Sequence, residues 1–279
     1  MRLSQGDSGD AVKVLQRGLN KVGSLLVVDG RFGSGTADAI SAACPALGLA
    51  PRTDADDELS NALASAPELS AELGTPGATF IARAEISNAK DYKARYCHPT
   101  WPSKTSGITI GIGYDLQFAS ADSLQADWGT RLPADVCARL LTACGSVGSD
   151  LLVGNLRDIE VPLIPAMAVF TSNTLPQTVQ QTASIYPQVL DLPFERRTAL
   201  VSLVYNRGTS LVDRGDPALQ NRSEMRAIRD LLAAGDYDAV ADQFDSMARL
   251  WDPGLPGLVK RRHEEATLWR SGFIALSLA

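Results

Sequence analysis

Apolar positions along the chain recur every three to four residues over long stretches, separated by short glycine- or proline-marked breaks, which is the pattern of helices sharing a core. In "GDSGDAVKVLQRGLNKVG", Val12, Val14, Leu15 and Leu19 fall near one stripe. This predicts a helix that Asp10 caps and that stops at Gly23. A second helix is expected from Ser34 to Ala43, after "DGRFGSGT", and a short third one within "DDELSNALAS". The Gly/Pro stretch "LGTPGAT" then reads as a break. It divides the chain into a module at 1–70, a linker at 71–78 and a second domain at 79–279.

The second domain is also largely helical by pattern. "ATFIARAEISNAKDYKARY" keeps one helical period, and "ERRTALVSLVYN", "SEMRAIRDLLAAG", "YDAVADQFDSMARLW" and "GLVKRRHEEATLWRSG" are the clearest later helices. Ser223 and Asp236 are expected N-caps, and Gly235 and Gly272 expected stops. One stretch differs: "SGITIGIGYDL", residues 106–116, alternates glycines with β-branched residues and predicts a small β-hairpin. The fold class expected is therefore mainly α, a three-helix module followed by an α+β domain with one hairpin.

Composition narrows the partners more than the fold. With 26 basic against 32 acidic side chains and a net charge of −6, the chain is not built to bind nucleic acid by neutralising phosphates. No run of 18 apolar residues occurs, and "MRLSQGDSGD" lacks the basic-then-apolar pattern of a secretory signal, so neither stable membrane association nor a signal peptide is expected. Cys44, Cys97, Cys137 and Cys144 have no CxxC spacing. They read as free, mostly structural thiols, and neither a metal nor a cofactor is expected.

Two places carry candidate chemistry. Glu85 sits in "FIARAEISNA" with few charges near it, and reads either as a solvated helix-end glutamate or as a carboxyl in a partly apolar cleft able to act as a general acid. Thr109 and Asp115 lie six apart, about 20 Å along an extended strand, too far to hold one water. Folding back as a hairpin at Gly111 and Gly113 lets them converge. Otherwise Asp115 is simply a turn residue. In the first module, "DGRFGSGT" offers two glycines and an aromatic expected to be exposed, a loop that suits either a plain helical domain or a sugar-binding one.

The first module closely resembles the type 1 peptidoglycan-binding family, whose pattern G-x-x-G-x-x-V-x-x-L-Q, then D-G-x-F-G-x-x-T, is filled by Gly6, Gly9, Val12, Leu15, Gln16, Asp29, Gly30, Phe32, Gly33 and Thr36. The resemblance implies a three-helix wall-binding module in which Asp29, Gly30, Phe32, Gly33 and Thr36 contact peptidoglycan. An isolated Glu followed about two dozen residues on by S-G-x-T-I-G-x-G-x-D-L resembles the pesticin-type lysozyme-like domains, relatives of phage-type lysozymes. Those are muramidases, and the resemblance implies that Glu85 is the general acid while Thr109 and Asp115 hold the attacking water. Tyr114, Gly113 and Asn206 are expected substrate contacts. Many phage-type lysozymes carry an aspartate where this chain has Ser103, a departure that points to the pesticin-like arrangement.

"ALVSLVYNRG" resembles the helix and turn lining the far side of such a cleft, and "GLVKRRHEEATLW" the closing helix, where Arg261 and Arg262 are spaced to pair with Glu264 and Glu265. Together the two resemblances imply a modular peptidoglycan hydrolase, most simply a phage endolysin. It would be an inverting muramidase, monomeric, made in the host cytoplasm and delivered by a holin to periplasmic peptidoglycan. The alternatives are a lytic transglycosylase on the same bond and a non-catalytic wall-binding component of a virion or toxin.

Overall fold

A computed structural model describes residues 2–215, 217–251 and 253–277. The fold is mainly α, with a two-stranded antiparallel sheet among the described residues, as the patterning predicts. Two compact units make up the chain: Met1–Ser70 with Ala82–Thr174, and Ala71–Ile81 with Leu175–Ala279.

In the first unit, helices α1 (Asp10–Lys21), α2 (Ser34–Ala46) and α3 (Asp57–Ser65) enclose Val12, Leu19, Phe32, Ile40, Cys44 and Leu59. Each large apolar side chain so buried contributes about 1.5–3 kcal/mol relative to exposure. The expected cap is displaced by one residue: Gly9 takes the non-helical N-cap conformation, and Asp10 instead pairs with Lys13 at 3.0 Å. The third helix does carry an acidic cap, since Asp56 accepts the Leu59 N–H at 2.9 Å.

The expected linker at 71–78 is a turn followed by the start of α4, Gly74–Ile86. Pro76 falls in the first helical turn, where its missing N–H is not needed. Glycine at 77 allows close packing, because a Cβ there would strike Thr198 Oγ1 and approach Leu73 Cβ to 2.9 Å. The three-helix module is also fastened to later residues of its own unit. Arg83 donates to the Leu25 carbonyl at 3.2 Å and to that of Leu26, and Ile164 packs on the core of the module.

The single helical run expected across 78–96 is broken just after Glu85. Ser87 adopts a left-handed φ of 59°, and Asn88 caps α5 (Ala89–Arg95) by accepting the Asp91 N–H at 2.9 Å. The unit continues through strands β1 (Thr109–Ile110) and β2 (Tyr114–Asp115), then α6 (Ala121–Trp128), α7 (Ala134–Leu140), α8 (Asp150–Leu156) and α9 (Leu163–Val169). It ends in a π-helical turn, Phe170–Thr174. Cys44, Cys97 and Cys137 are buried thiols and Cys144 is half-buried.

The second unit holds α10 (Leu175–Ile185), α11 (Phe194–Arg207), α12 (Ser223–Ala234), α13 (Val240–Met247) and α14 (Pro256–Ser277). Gly235 stops α12 in the left-handed conformation, as expected. Ser223 is the first residue of α12 rather than its cap, and Asp236 accepts the Ala239 N–H at 3.4 Å in the turn before α13. Gly272 does not stop α14, which continues through it to Ser277.

The pairing expected on α14 converges on one carboxylate. Arg262 reaches Glu265 at 2.7 Å and Arg261 reaches it at 3.3 Å, while the Ser202 hydroxyl on α11 donates to the same Oε1 at 2.6 Å. Glu264 instead lies 3.5 Å from Lys260 at the surface. Burial pushes the Glu265 carboxyl up and the two guanidiniums pull it back. Removing it leaves two buried cations without their shared anion, the situation in which breaking a buried pair costs most. Glu265→Ala should lower the unfolding free energy by about 3–5 kcal/mol in urea titrations. Glu264→Ala should change it by less than about 0.5 kcal/mol.

Candidate functional site

The hairpin forms and sets Thr109 opposite Asp115. Thr109 donates its N–H to Thr100 at 2.8 Å and accepts the Thr100 N–H at 2.9 Å. Both backbone groups of Thr109 therefore face away from β2. Across the hairpin it meets Asp115 as a non-hydrogen-bonded pair, flanked by the Leu116 N–H to Ile108 carbonyl bond at 2.9 Å. This is the closer kind of antiparallel pair, with Cα atoms about 4.5 Å apart and side chains on one face. A hydroxyl and a carboxylate are thus brought together, both half-buried.

Asp115 is held on two further sides. It caps the 3-10 turn Leu116–Phe118 by accepting the Gln117 N–H at 2.9 Å, and it accepts the Gly107 N–H at 3.2 Å. Only glycine fits at 107, where a Cβ would run into Asp115 Oδ1 and come within 2.6 Å of Gln117 N. Gly107 stands inside the motif but is not singled out by its spacing, because its role depends on where the Asp115 side chain folds.

Glu85 stands on a separate element of the same unit, in the last turn of α4, half-buried beside the buried Ile86. A carboxylate there faces the negative end of the helix dipole, where cations are favoured, so its position does nothing for helix stability. Tyr114 is half-buried, with its hydroxyl donated to Asp127 at 2.8 Å and its ring edge-on to Trp128. Burial, then the Asp127 carboxylate, hold its phenol well above the usual tyrosine range. Gly113 is exposed at the hairpin tip with φ 74°. Ser103 lies in an exposed turn, its hydroxyl 3.3 Å from that of Thr105.

In the first module the motif residues build the loop rather than line a surface. The Gln16 amide donates to Asp29 Oδ1 at 2.8 Å and to the Arg31 carbonyl at 3.1 Å, and Gln16 Oε1 accepts the Gly30 N–H at 2.9 Å. The Gln16 amide and the Arg31 N–H hold the Asp29 carboxyl below its usual range. Phe32 is only 2% exposed and Thr36 3%, so the expected exposed aromatic is a core residue and neither side chain can reach a sugar. Gly30 is buried too, while Asp29 and Gly33 are exposed. Loop patterning could not tell a buried phenylalanine from a surface one.

Asn206 lies in the last turn of α11, ahead of the Gly208 C-cap. It lines a groove of about 240 Å³ with Arg207, Arg214, Asn221, Arg222, Trp251 and Leu258. The Arg207 guanidinium lies over the Trp251 ring at 4.8 Å. Burial, with Arg222 and Arg262 nearby, brings Arg207 down to about 10. The neighbouring acids are engaged elsewhere, Asp213 with Arg226 at 2.9 Å and Glu224 with Arg249 at 2.8 Å. The groove therefore suits a polar ligand bearing acceptors or negative charge.

Among the described residues, no group of three or more His, Cys, Asp or Glu is placed to hold a metal ion, and no helix is long and apolar enough to cross a membrane. The family model for the peptidoglycan binding domain matches residues 8–51, and that for phage lysozyme matches residues 165–265. The chain pairs a peptidoglycan-binding domain with a phage lysozyme domain. Together they support a peptidoglycan hydrolase of the lysozyme type, acting in cell-wall degradation. No curated protein matches the chain. The peptidoglycan-binding match takes in Gln16 and its loop, and the lysozyme match takes in Asn206, Trp251 and the Glu265 cluster. Glu85, Thr109 and Asp115 precede the lysozyme match; the hairpin pairing carries the case for Thr109 and Asp115, and the sequence resemblance carries that for Glu85. Because a displacement of about 1 Å can lower a rate on the order of 100-fold, Gly107→Ala should cut peptidoglycan hydrolysis at least about tenfold. Sedimentation with purified cell walls should show its wall binding unchanged.

Proposed function

We propose that this protein is a muramidase that cuts the β-1,4 bond between N-acetylmuramic acid and N-acetylglucosamine, and that it serves as a phage endolysin. The observation that carries this reading is the cross-strand pairing of Thr109 with Asp115, which sets a hydroxyl-bearing and a carboxylate-bearing residue on one face of the hairpin. In the proposed reaction Glu85 gives its proton to the glycosidic oxygen as the bond to the anomeric carbon breaks. Water held by Thr109 and Asp115 attacks that carbon from the opposite face, and Asp115 takes up its proton. The configuration inverts, and such a pair of carboxyls works at about 6.5–9.5 Å separation. The reaction so written uses two carboxyls and one water, with no cofactor.

Residues 1–70 serve as the wall-binding module and 79–279 as the catalytic domain, so wall binding raises the local concentration of glycan at the hydrolase. Gly113, exposed at the hairpin tip, contributes a substrate contact. The enzyme acts as a monomer, is made in the host cytoplasm and reaches periplasmic peptidoglycan through a holin or another delivery route.

Mass spectrometry of fragments released from purified peptidoglycan tests the reading. Wild type should release fragments ending in reducing muramic acid, and Glu85→Gln and Asp115→Asn should each lower that release about 100- to 10,000-fold, the usual share of general acid–base catalysis. Anhydro-muramic ends that persist in Asp115→Asn would make the enzyme a transglycosylase and Asp115 a turn residue.

A further inference from the structure

The strand that carries Asp115 is two residues long, too short for its ladder alone to fix a side chain. Its other residue, Tyr114, is clamped. Asp127 Oδ2 on α6 accepts the Tyr114 hydroxyl at 2.8 Å and also the Asn173 side-chain N–H at 2.9 Å. Asn173 belongs to the π-helical turn Phe170–Thr174. Such wide turns are rare and cluster at functional sites, because they re-aim side chains that a regular helix would point elsewhere. The Tyr114 ring also stands edge-on to the fully buried Trp128, with centroids 5.6 Å apart and planes at 86°.

Successive residues of a strand project to opposite faces. Tyr114 is thus fastened on one face of β2 while Asp115 projects from the other. We propose that Asp127 is a positioning residue for glycan hydrolysis, which acts through the Tyr114 hydroxyl to set the height and tilt of β2 and so the placement of the Asp115 carboxylate against Thr109. Asn173 keeps Asp127 Oδ2 aimed at the hairpin. The inference rests on the role proposed above for Asp115. It assigns the tyrosine hydroxyl and the π-helical turn to the chemistry of a residue that neither touches.

Steady-state hydrolysis of a soluble glycan fragment of peptidoglycan by the full chain tests it, with Tyr114→Phe, Asp115→Glu and the double variant beside wild type. Tyr114→Phe keeps the ring and its packing on Trp128 and removes only the hydroxyl. It should lower kcat about tenfold with KM within about twofold, as a positioning loss does. In the Asp115→Glu background, where the carboxylate is already displaced, the same change should lower kcat less than about twofold. An undiminished kcat in Tyr114→Phe would overturn the proposal, as would a loss confined to KM or a full tenfold loss repeated in the Asp115→Glu background. Asp115→Glu with wild-type kcat would instead remove the role of Asp115 itself, and the proposal with it, whatever Tyr114→Phe shows. If thermal denaturation finds Tyr114→Phe unfolded, Asp127→Asn, which keeps the shape, is read by the same criteria.

Discussion

Thr109 commits both of its backbone hydrogen-bonding groups to Thr100, and that one constraint decides what the hairpin can do. An antiparallel pair alternates between close and wide positions, and a residue bonded outward on one edge is presented at the close position on the other. Asp115 is therefore brought to Thr109 by backbone geometry rather than by any attraction between their side chains. A slip of one residue would turn both to the opposite face. The Thr100 bridge, the Ile108–Leu116 bond and the Gly107 contact all oppose that slip.

Much of this was legible in the sequence because it rests on spacing. Glycines at 111 and 113 between β-branched residues permit a chain reversal, and a reversal centred there pairs 109 with 115. The helices were equally legible where an apolar stripe ran unbroken, and so was the left-handed stop at Gly235. What escaped were features that depend on residues far apart in the chain or on the path of one side chain. Gly107 matters only because the Asp115 carboxylate folds back over it. Composition marks 71–78 as a break, yet Pro76 is harmless in a first turn and Gly77 allows close packing, so the segment is helical from Gly74 onward. Phe32 looked like a loop aromatic and is a core residue, because Gln16 folds the loop inward around it. The arginine and tryptophan groove around Asn206 joins positions from 206 to 258 that no local pattern connects.

Charge is arranged locally against the overall balance. The chain carries a net −6, yet Arg207, Arg214 and Arg222 line one groove whose nearest acids are held by other arginines. On α14 the reverse holds, with two arginines gathered on one buried glutamate that joins the helix to Ser202 of α11. The first arrangement leaves cations available to a ligand. The second uses them up in holding two helices together.

In the proposed reaction, water held at the Thr109–Asp115 pair attacks the face opposite the bond that Glu85 protonates. The measurement that tests this most directly is the anomeric configuration of the product, read by proton nuclear magnetic resonance in the first minutes of cleavage of a β-1,4 glycan, before mutarotation. An inverting site releases the α-anomer first, and that is the result expected here. Initial release of the β-anomer would contradict it, because retention requires a covalent intermediate or substrate assistance and gives Asp115 a different task.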